Sequence, residues 1–234
     1  FPGQIAVHLE TSLALSGELG DAPLVRVLGY AQFQAGNTFA VRTEDGTTTF
    51  EISKGGAVAA ANAVSDVYAM GGSVAFALAI AGFPASVPET VVSTVLRGAA
   101  ETVRACGGMI VGGHTIRCAE PIFGLCVIGF VHPDRIWRKR GARVGDVLVL
   151  SKPLGTGVLL SAREPRYERV AVRSMRTTNR LAADALNHLA VRPSAATDIS
   201  GYGLLGHGIE MASQSAVALH VRWQDVPLLD GARE

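Results

Sequence analysis

Aromatic residues are scarce, at 6% of the 234 residues. Charge bias is also missing: 21 Lys and Arg stand against 20 Asp and Glu, for a net charge of +1. This excludes the broad basic field of a nucleic-acid binder. No apolar run approaches the roughly 20 residues of a membrane-spanning helix. The start, FPGQIAVHLE, has neither the basic head nor the cleavage site of a secretory signal. It also lacks an initiator Met, which predicts that Phe1 is not the native start. Cys106, Cys118 and Cys126 are odd in number and match no zinc or redox spacing, which argues against a disulfide framework. A reducing, cytoplasmic compartment is expected. Cys126, inside FGLCVIGFV, is expected in the core. There is no GxxxxGK[ST] phosphate loop, no HExxH and no Ser nucleophile elbow.

Hydrophobic residues make up 48% and charged residues 18%, which excludes general disorder. Glycine, at 27 residues, accompanies abundant Ala and Val. The composition is that of a closely packed α/β protein. The length suits one large domain or two small ones.

HLETSLALSGE suggests a short helix. LVRVL and TFAVRTE read as strands separated by a Gly/Asn turn. Residues 55–70 form a small-residue helix closed by Gly71 and Gly72. SVAFALAIAGF is a buried strand, and VPETVVSTVLRGAAETVRACGG is an amphipathic helix with Pro at its start and Gly at its end. MIVGGHT is a short strand running into a glycine turn, and PIFGLCVIGFVHP is another buried strand. A change of character near 143–146 places a domain boundary, giving residues 1–143 and 144–234. Beyond it come a strand DVLVL, a helix at about 155–164, a long helix at about 168–190, a turn ATDISGYG, a helix LLGHGIEMASQS and a strand ALHVRW. The second unit looks unfinished at its end.

Three glycine-rich turns, Gly71-Gly72, Gly112 to Thr115 and Lys152 to Gly157, allow backbone N–H groups to approach phosphate oxygens. Taken singly, each turn reads first as structural. Asp66 lies within an Ala/Val-rich helix, and Asp198 directly precedes a glycine turn. A carboxylate in apolar surroundings needs a partner, and Mg²⁺ with phosphate is one good partner. Asp21 and Asp45 are further candidates, and capping or turn roles stay open for all four. Asn62 is polar within the same apolar helix as Asp66, His114 follows two glycines, and His207 reads as packed on a helix. Arg135, Arg138, Lys139, Arg140 and Arg143 read as a solvated loop.

Read together, AAANAVSDVYAMGG (59–72), GGHTIRCAEPIFGLCVIGFVHP (112–133), GARVGDVLVLSKPLGTGV (141–158) and ATDISGYGLLGHGIEMA (196–212) resemble the selenophosphate synthetases (selenide, water dikinases). Those enzymes belong to the superfamily of aminoimidazole ribonucleotide synthetase. The resemblance implies a two-domain α/β (α+β) fold whose N-terminal domain forms a barrel across a homodimer, with the C-terminal domain incomplete in this chain. It implies ATP as substrate with selenide, and Mg²⁺ held by aspartates. The products would be selenophosphate, AMP and phosphate. By resemblance, Asp21, Asp66 and Asp198 are metal ligands, and Asp45, Asp66, Gly113, His114 and Thr115 contact ATP. The family's N-terminal segment with a catalytic Cys or selenocysteine and a Lys has no counterpart before residue 21, so no catalytic residue is assigned. GYAQFQAGN reads as a short insertion between Asp21 and Asp45. A nucleotide-binding paralogue, or a superfamily member acting on a ribonucleotide or thiamine phosphate, is the alternative.

Overall fold

The computed structural model describes the backbone of residues 15–19, 22–34, 49–119, 121–162 and 164–233, with side chains from 54 onward. β1 (Leu15–Leu19) and β2 (Ala22–Gln34) form an antiparallel hairpin. α1 (Thr49–Ala69), β3 (Ser73–Phe83), α2 (Glu89–Ala105), β4 (Met109–Arg117) and β5 (Ile122–Val131) follow. The sheet order is β1-β2-β5-β3-β4, with β3 and β4 parallel and the other pairings antiparallel. The parallel pair needs a long crossover, and α2 supplies it.

One face of the sheet is covered and the other is open. Ala77, Ala79, Ala81 and Phe83 on β3, with Phe123, Leu125 and Val127 on β5, are buried under the helices. The alternate residues Leu78 and Ile80 are each 39% exposed. On α2, Val91, Val95, Ala99 and Val103 recur every fourth position and are all buried, the stripe expected of a helix lying on a sheet. Each buried valine contributes about 1.5–3 kcal/mol of transfer free energy. The Ala-rich α1 fills the space beside it, where larger side chains would hold the layers apart.

α1 ends where glycine permits. Gly71 has φ +75° and donates its N–H to Tyr68 O at 2.9 Å, while Gly72 N–H bonds Val67 O at 2.9 Å. A Cβ on Gly71 would stand 2.8 Å from the indole of buried Trp137. Trp137 N–H in turn bonds Met70 O at 3.1 Å, so the segment leaving the sheet is pinned to the end of α1.

The second half is helical among the described residues: α3 (Thr156–Ser161), α4 (Pro165–Arg176), α5 (Arg180–Asn187) and α6 (Gly203–Ser215). DVLVL and ALHVRW were expected as strands, yet neither forms a ladder among the described residues. An isolated parallel bridge, Leu154 to Leu228, stands nearby. Val147 and Val149 are 84% and 80% exposed, so no partner strand covers them here. A strand exists only through its pairing, which an apolar pattern does not itself supply.

Other expectations also need correction. Residues 15–18, the end of the expected first helix, belong to the strand Leu15–Leu19. β2 continues through Gln34, so the first residues of the supposed Gly/Asn turn belong to a strand paired with β5. TFAVRTE lies outside the described residues. Gly112 and Gly113 lie within β4 rather than in a turn after it. The expected helix at 168–190 breaks at Thr177-Thr178-Asn179, where two β-branched residues and a capping residue type interrupt it. Cys126 is half-buried on the open face instead of sitting in the core. Its register partner is Leu78, which shares that face.

Candidate active site

Asp66 projects from the Ala/Val-built α1, between Ser65 and Val67, and the nearby Val64 and Val67 are both fully buried. The residue is half-buried. Its carboxyl is pushed up to about 7, chiefly by burial and then by the negative charge of Asp198; the Lys139 ammonium opposes both. Lys139 is itself held by Glu210, with Nζ 3.0 and 2.9 Å from the two carboxylate oxygens. Much of its charge is thus already matched, which is why it does not cancel the repulsion between the aspartates.

Asp198 lies in the loop between α5 and α6, and it is half-buried. The loop is tied back at two points. Ala196 N–H bonds Arg138 O at 2.9 Å, and Gly203 N–H bonds Ser200 O at 2.9 Å. The fold therefore brings into one field two carboxylates that are far apart in sequence. A negative neighbour in a poorly solvated place raises a carboxyl's proton affinity, and a nearby cation relieves it. Two hard oxygen donors suit Mg²⁺, which completes its shell with water and phosphate oxygens. Among the described residues no group of three or more His, Cys, Asp or Glu could hold a metal. Asp66 and Asp198 are thus a pair of carboxylates and not part of a larger ligand cluster among the described residues.

Asp21 and Asp45 lie outside the described residues. Asn62 stands one turn before Asp66 on α1 and is half-buried. Gly113, His114 and Thr115 occupy the exposed edge strand β4, in register with Ala79, Ile80 and Ala81. The ladder skips Val111, a bulge placed directly before the two glycines. Gly113 has φ +150°, and a Cβ there would stand 1.9 Å from Ala79 O. Glycine is therefore a requirement of the close β3–β4 approach. His114 shares the open face with Ile80, since paired residues in register point the same way.

Sequence reasoning missed three polar ties. Asn179 Nδ2 donates to Ser65 Oγ at 2.8 Å, and Ser151 Oγ–H donates to Asn179 Oδ1 at 2.9 Å. This chain of bonds joins α1, beside Asp66, to the second half of the molecule. The break of the expected long helix at Thr-Thr-Asn was the available signal. Lys152 Nζ donates to Ser174 O at 3.2 Å and Thr177 O at 2.8 Å, holding the last carbonyls of α4. Burial pushes its ammonium below the usual lysine range. Lys139 was grouped with a solvated cluster. Arg135, Arg138, Arg140 and Arg143 are indeed exposed, but Lys139 is half-buried and faces the acidic pair.

Residues 21–131 match the family model described as AIR synthase related protein, N-terminal domain, and residues 143–233 match its C-terminal domain counterpart. A selenide, water dikinase of Caldanaerobacter subterraneus subsp. tengcongensis is 44% identical over 184 residues, covering 76% of this chain and 53% of that protein. Another, from Citrifermentans bemidjiense, is 43% identical over 182 residues, covering 75% of this chain and 52% of the relative. The chain spans about half the length of these curated relatives. Among solved structures, thiamine-monophosphate kinase from Stenotrophomonas maltophilia superposes with a TM-score of 0.72 at 24% identity, covering 92% of this chain and 71% of that one. The hydrogenase maturation protein HypE in complex with ATP gives 0.72 at 20% identity, covering 94% and 63%. Likeness at that identity shows a shared fold. No described helix is long and apolar enough to cross a membrane.

Proposed function

The chain belongs to the AIR synthase related protein family, and from that premise we propose that it is the nucleotide-handling body of a selenide, water dikinase. The reaction would convert ATP, selenide and water into selenophosphate, AMP and phosphate. Its identity of 40–44% to proteins named for that activity supports this reading. The observation that carries the site is the coupling of Asp66 to Asp198, with the Asp66 carboxyl pushed up to about 7.

In phosphoryl transfer the protein acts mainly by positioning and by neutralising charge. Mg²⁺, when bound, would supply that neutralisation on the phosphates. Asp66 and Asp198 would hold it, joined by Asp21 and by Asp45 at the nucleotide. Asp66 would do so as a carboxylate, surrendering its proton as the cation arrives. α1 fixes Asp66 through a buried helix core, and the Ser65–Asn179–Ser151 chain sets that helix against the second half. Gly113, His114 and Thr115 would contact ATP from the edge strand. Their exposure fits a site completed by a second copy.

The open face of the sheet supports a homodimer. Leu78, Ile80 and Ile116 are exposed at 39%, 39% and 45%, and two such sheets would close into a barrel. The division at about 143–146 would separate this dimerising, ATP-binding unit from the C-terminal domain. A reducing, cytoplasmic setting suits both selenide and cysteines that form no disulfide.

The test is product analysis with protein expressed from the complete gene, supplied with ATP, Mg²⁺, selenide and reductant. AMP together with phosphate and selenophosphate is the expected result. ADP as the sole nucleotide product would reassign the chain to a simple kinase. Absence of any ATP turnover would leave a nucleotide-binding paralogue.

A further inference from the structure

His207 is the buried polar side chain of α6, 4% exposed among the described residues. The backbone N–H of Ser200 points at its Nε2 from 3.2 Å, and the Ser200 hydroxyl lies 3.1 Å from the same atom. A backbone N–H can only donate. Nε2 must therefore be the bare nitrogen, and the ring proton sits on Nδ1. That Nδ1 is buried and has no hydrogen-bond partner. Tyr202, from the same loop, stands edge-on to the ring with centroids 5.8 Å apart and planes at 66°.

A histidine serving only as filler would be worse here than leucine or methionine. It buries a donor without an acceptor and carries the full desolvation penalty of that group. What it provides in return is an acceptor aimed at Ser200, two residues after Asp198. The loop from Asp198 to Gly203 contains two glycines and no helix or strand before α6 begins. Gly201 has nothing near the place of its missing Cβ. Ala196 N–H on Arg138 O, Gly203 N–H on Ser200 O and Thr197 Oγ–H on Asp198 O at 3.2 Å also restrain this backbone, and His207 adds the anchor that reaches the loop from within α6.

We propose that His207 is a positioning residue: through Nε2 it anchors Ser200 and thereby fixes the Asp198 carboxylate toward Asp66 for a divalent cation. The inference rests on the metal role of Asp198 argued above. Groups that orient a metal ligand without touching the ion typically set 10–100-fold of metal affinity.

The experiment compares His207→Leu, His207→Gln and Asp198→Asn with the parent protein. Three quantities are read: the thermal midpoint, amide hydrogen exchange across 197–203 without metal, and Mn²⁺ affinity by EPR in the presence of ATP. In His207→Leu the midpoint should hold or rise, while exchange in the loop speeds up and Mn²⁺ affinity falls about tenfold or more. His207→Gln should restore much of both, because its amide oxygen reaches close to the place of Nε2. Should the leucine variant fail to fold, His207→Asn replaces it: it stays polar but is too short to reach Ser200, so it should lose affinity where Gln keeps it. Parent-like exchange and affinity in the leucine or asparagine variant, with affinity lost in Asp198→Asn, overturns the inference alone. If Asp198→Asn binds Mn²⁺ normally, the metal reading has failed instead. Loop exchange then decides on His207, and unchanged protection overturns its anchoring role.

Discussion

Asp198 raises the proton affinity of Asp66 across the two halves of the chain, and among the described residues it is the acidic side chain that does so. One carboxylate is on a helix rigidified by a buried alanine and valine core, and the other is on a glycine-bearing loop. The arrangement makes ionising Asp66 costly in the empty protein, and a cation held by the proposed pair would relieve that cost. That asymmetry gives the first prediction.

Without divalent cations, native Asp66 keeps its proton up to about 7, while an unfolded aspartate releases it at about 3.9. Between those values the native state binds more protons than the unfolded state. Stability must therefore fall as pH rises through that window, and this group adds no slope above it. Thermal midpoints measured in EDTA from pH 4 to pH 8 should show the decline. Asp66→Asn should flatten it, raise the metal-free midpoint at pH 8, and abolish Mg²⁺-dependent ATP binding. An asparagine variant with the parent's slope would mean that another group titrates.

Asn179 bridges Ser65 and Ser151. Asn179→Ala should destabilise the protein by about 1–2 kcal/mol, the value of such bonds in partly buried places. ATP affinity should fall further than that loss of stability accounts for, because α1 loses its register with the second half. Asn179→Asp tests the direction of the chain: it can still accept from Ser151 but can no longer donate to Ser65. Isothermal titration with ATP and Mg²⁺ reads both variants, and unchanged affinity in both would remove the bridge from the site.

The elements of the first half were legible where periodicity and punctuation agreed. The stripe on α2, the run of β3 and β5, and the Gly71-Gly72 stop all follow from local physics. So did the isolation of Asp66 and Asp198, since a carboxylate among alanines needs a reason. What escaped was set by partners distant in sequence. DVLVL has a strand's composition and, among the described residues, no strand beside it. At the Thr177 to Asn179 break, Asn179 turns to Ser65 on α1, a partner 114 residues away in sequence. Lys139 looked like one more solvated cation until Glu210 and Asp66 were seen around it. Asp21 and Asp45 lie outside the described residues, so the sequence remains the sole argument for them.

The open sheet face should govern assembly. Ile80→Glu places a charge amid Leu78, Ile116 and Ile122 on that face. The residue is partly exposed in one copy, so the fold should survive with a change in midpoint of a few degrees at most. Sedimentation velocity should show the parent as a dimer and the variant as a monomer. ATP turnover should fall with dimerisation, because His114 lies on the same face. A parent protein that is already monomeric at tens of micromolar would sink the barrel.

Gly112 and Gly113 are neighbours on β4 with opposite tolerance, and the contrast isolates backbone geometry from chemistry. A Cβ on Gly112 would meet nothing closer than Leu78 Cδ2 at 3.5 Å, which is ordinary contact. A Cβ on Gly113 would stand 1.9 Å from Ala79 O on a backbone with φ +150°. Alanine at Gly113 must therefore push β4 off β3, at a cost of more than about 2 kcal/mol, whereas alanine at Gly112 should stay within about 1 kcal/mol of the parent. Urea denaturation gives both values. If Gly113→Ala folds with parent-like stability, the ladder can yield without strain, and the glycine must then be explained by what approaches the edge strand from outside. Loss of ATP binding with stability intact would be the mark of that case.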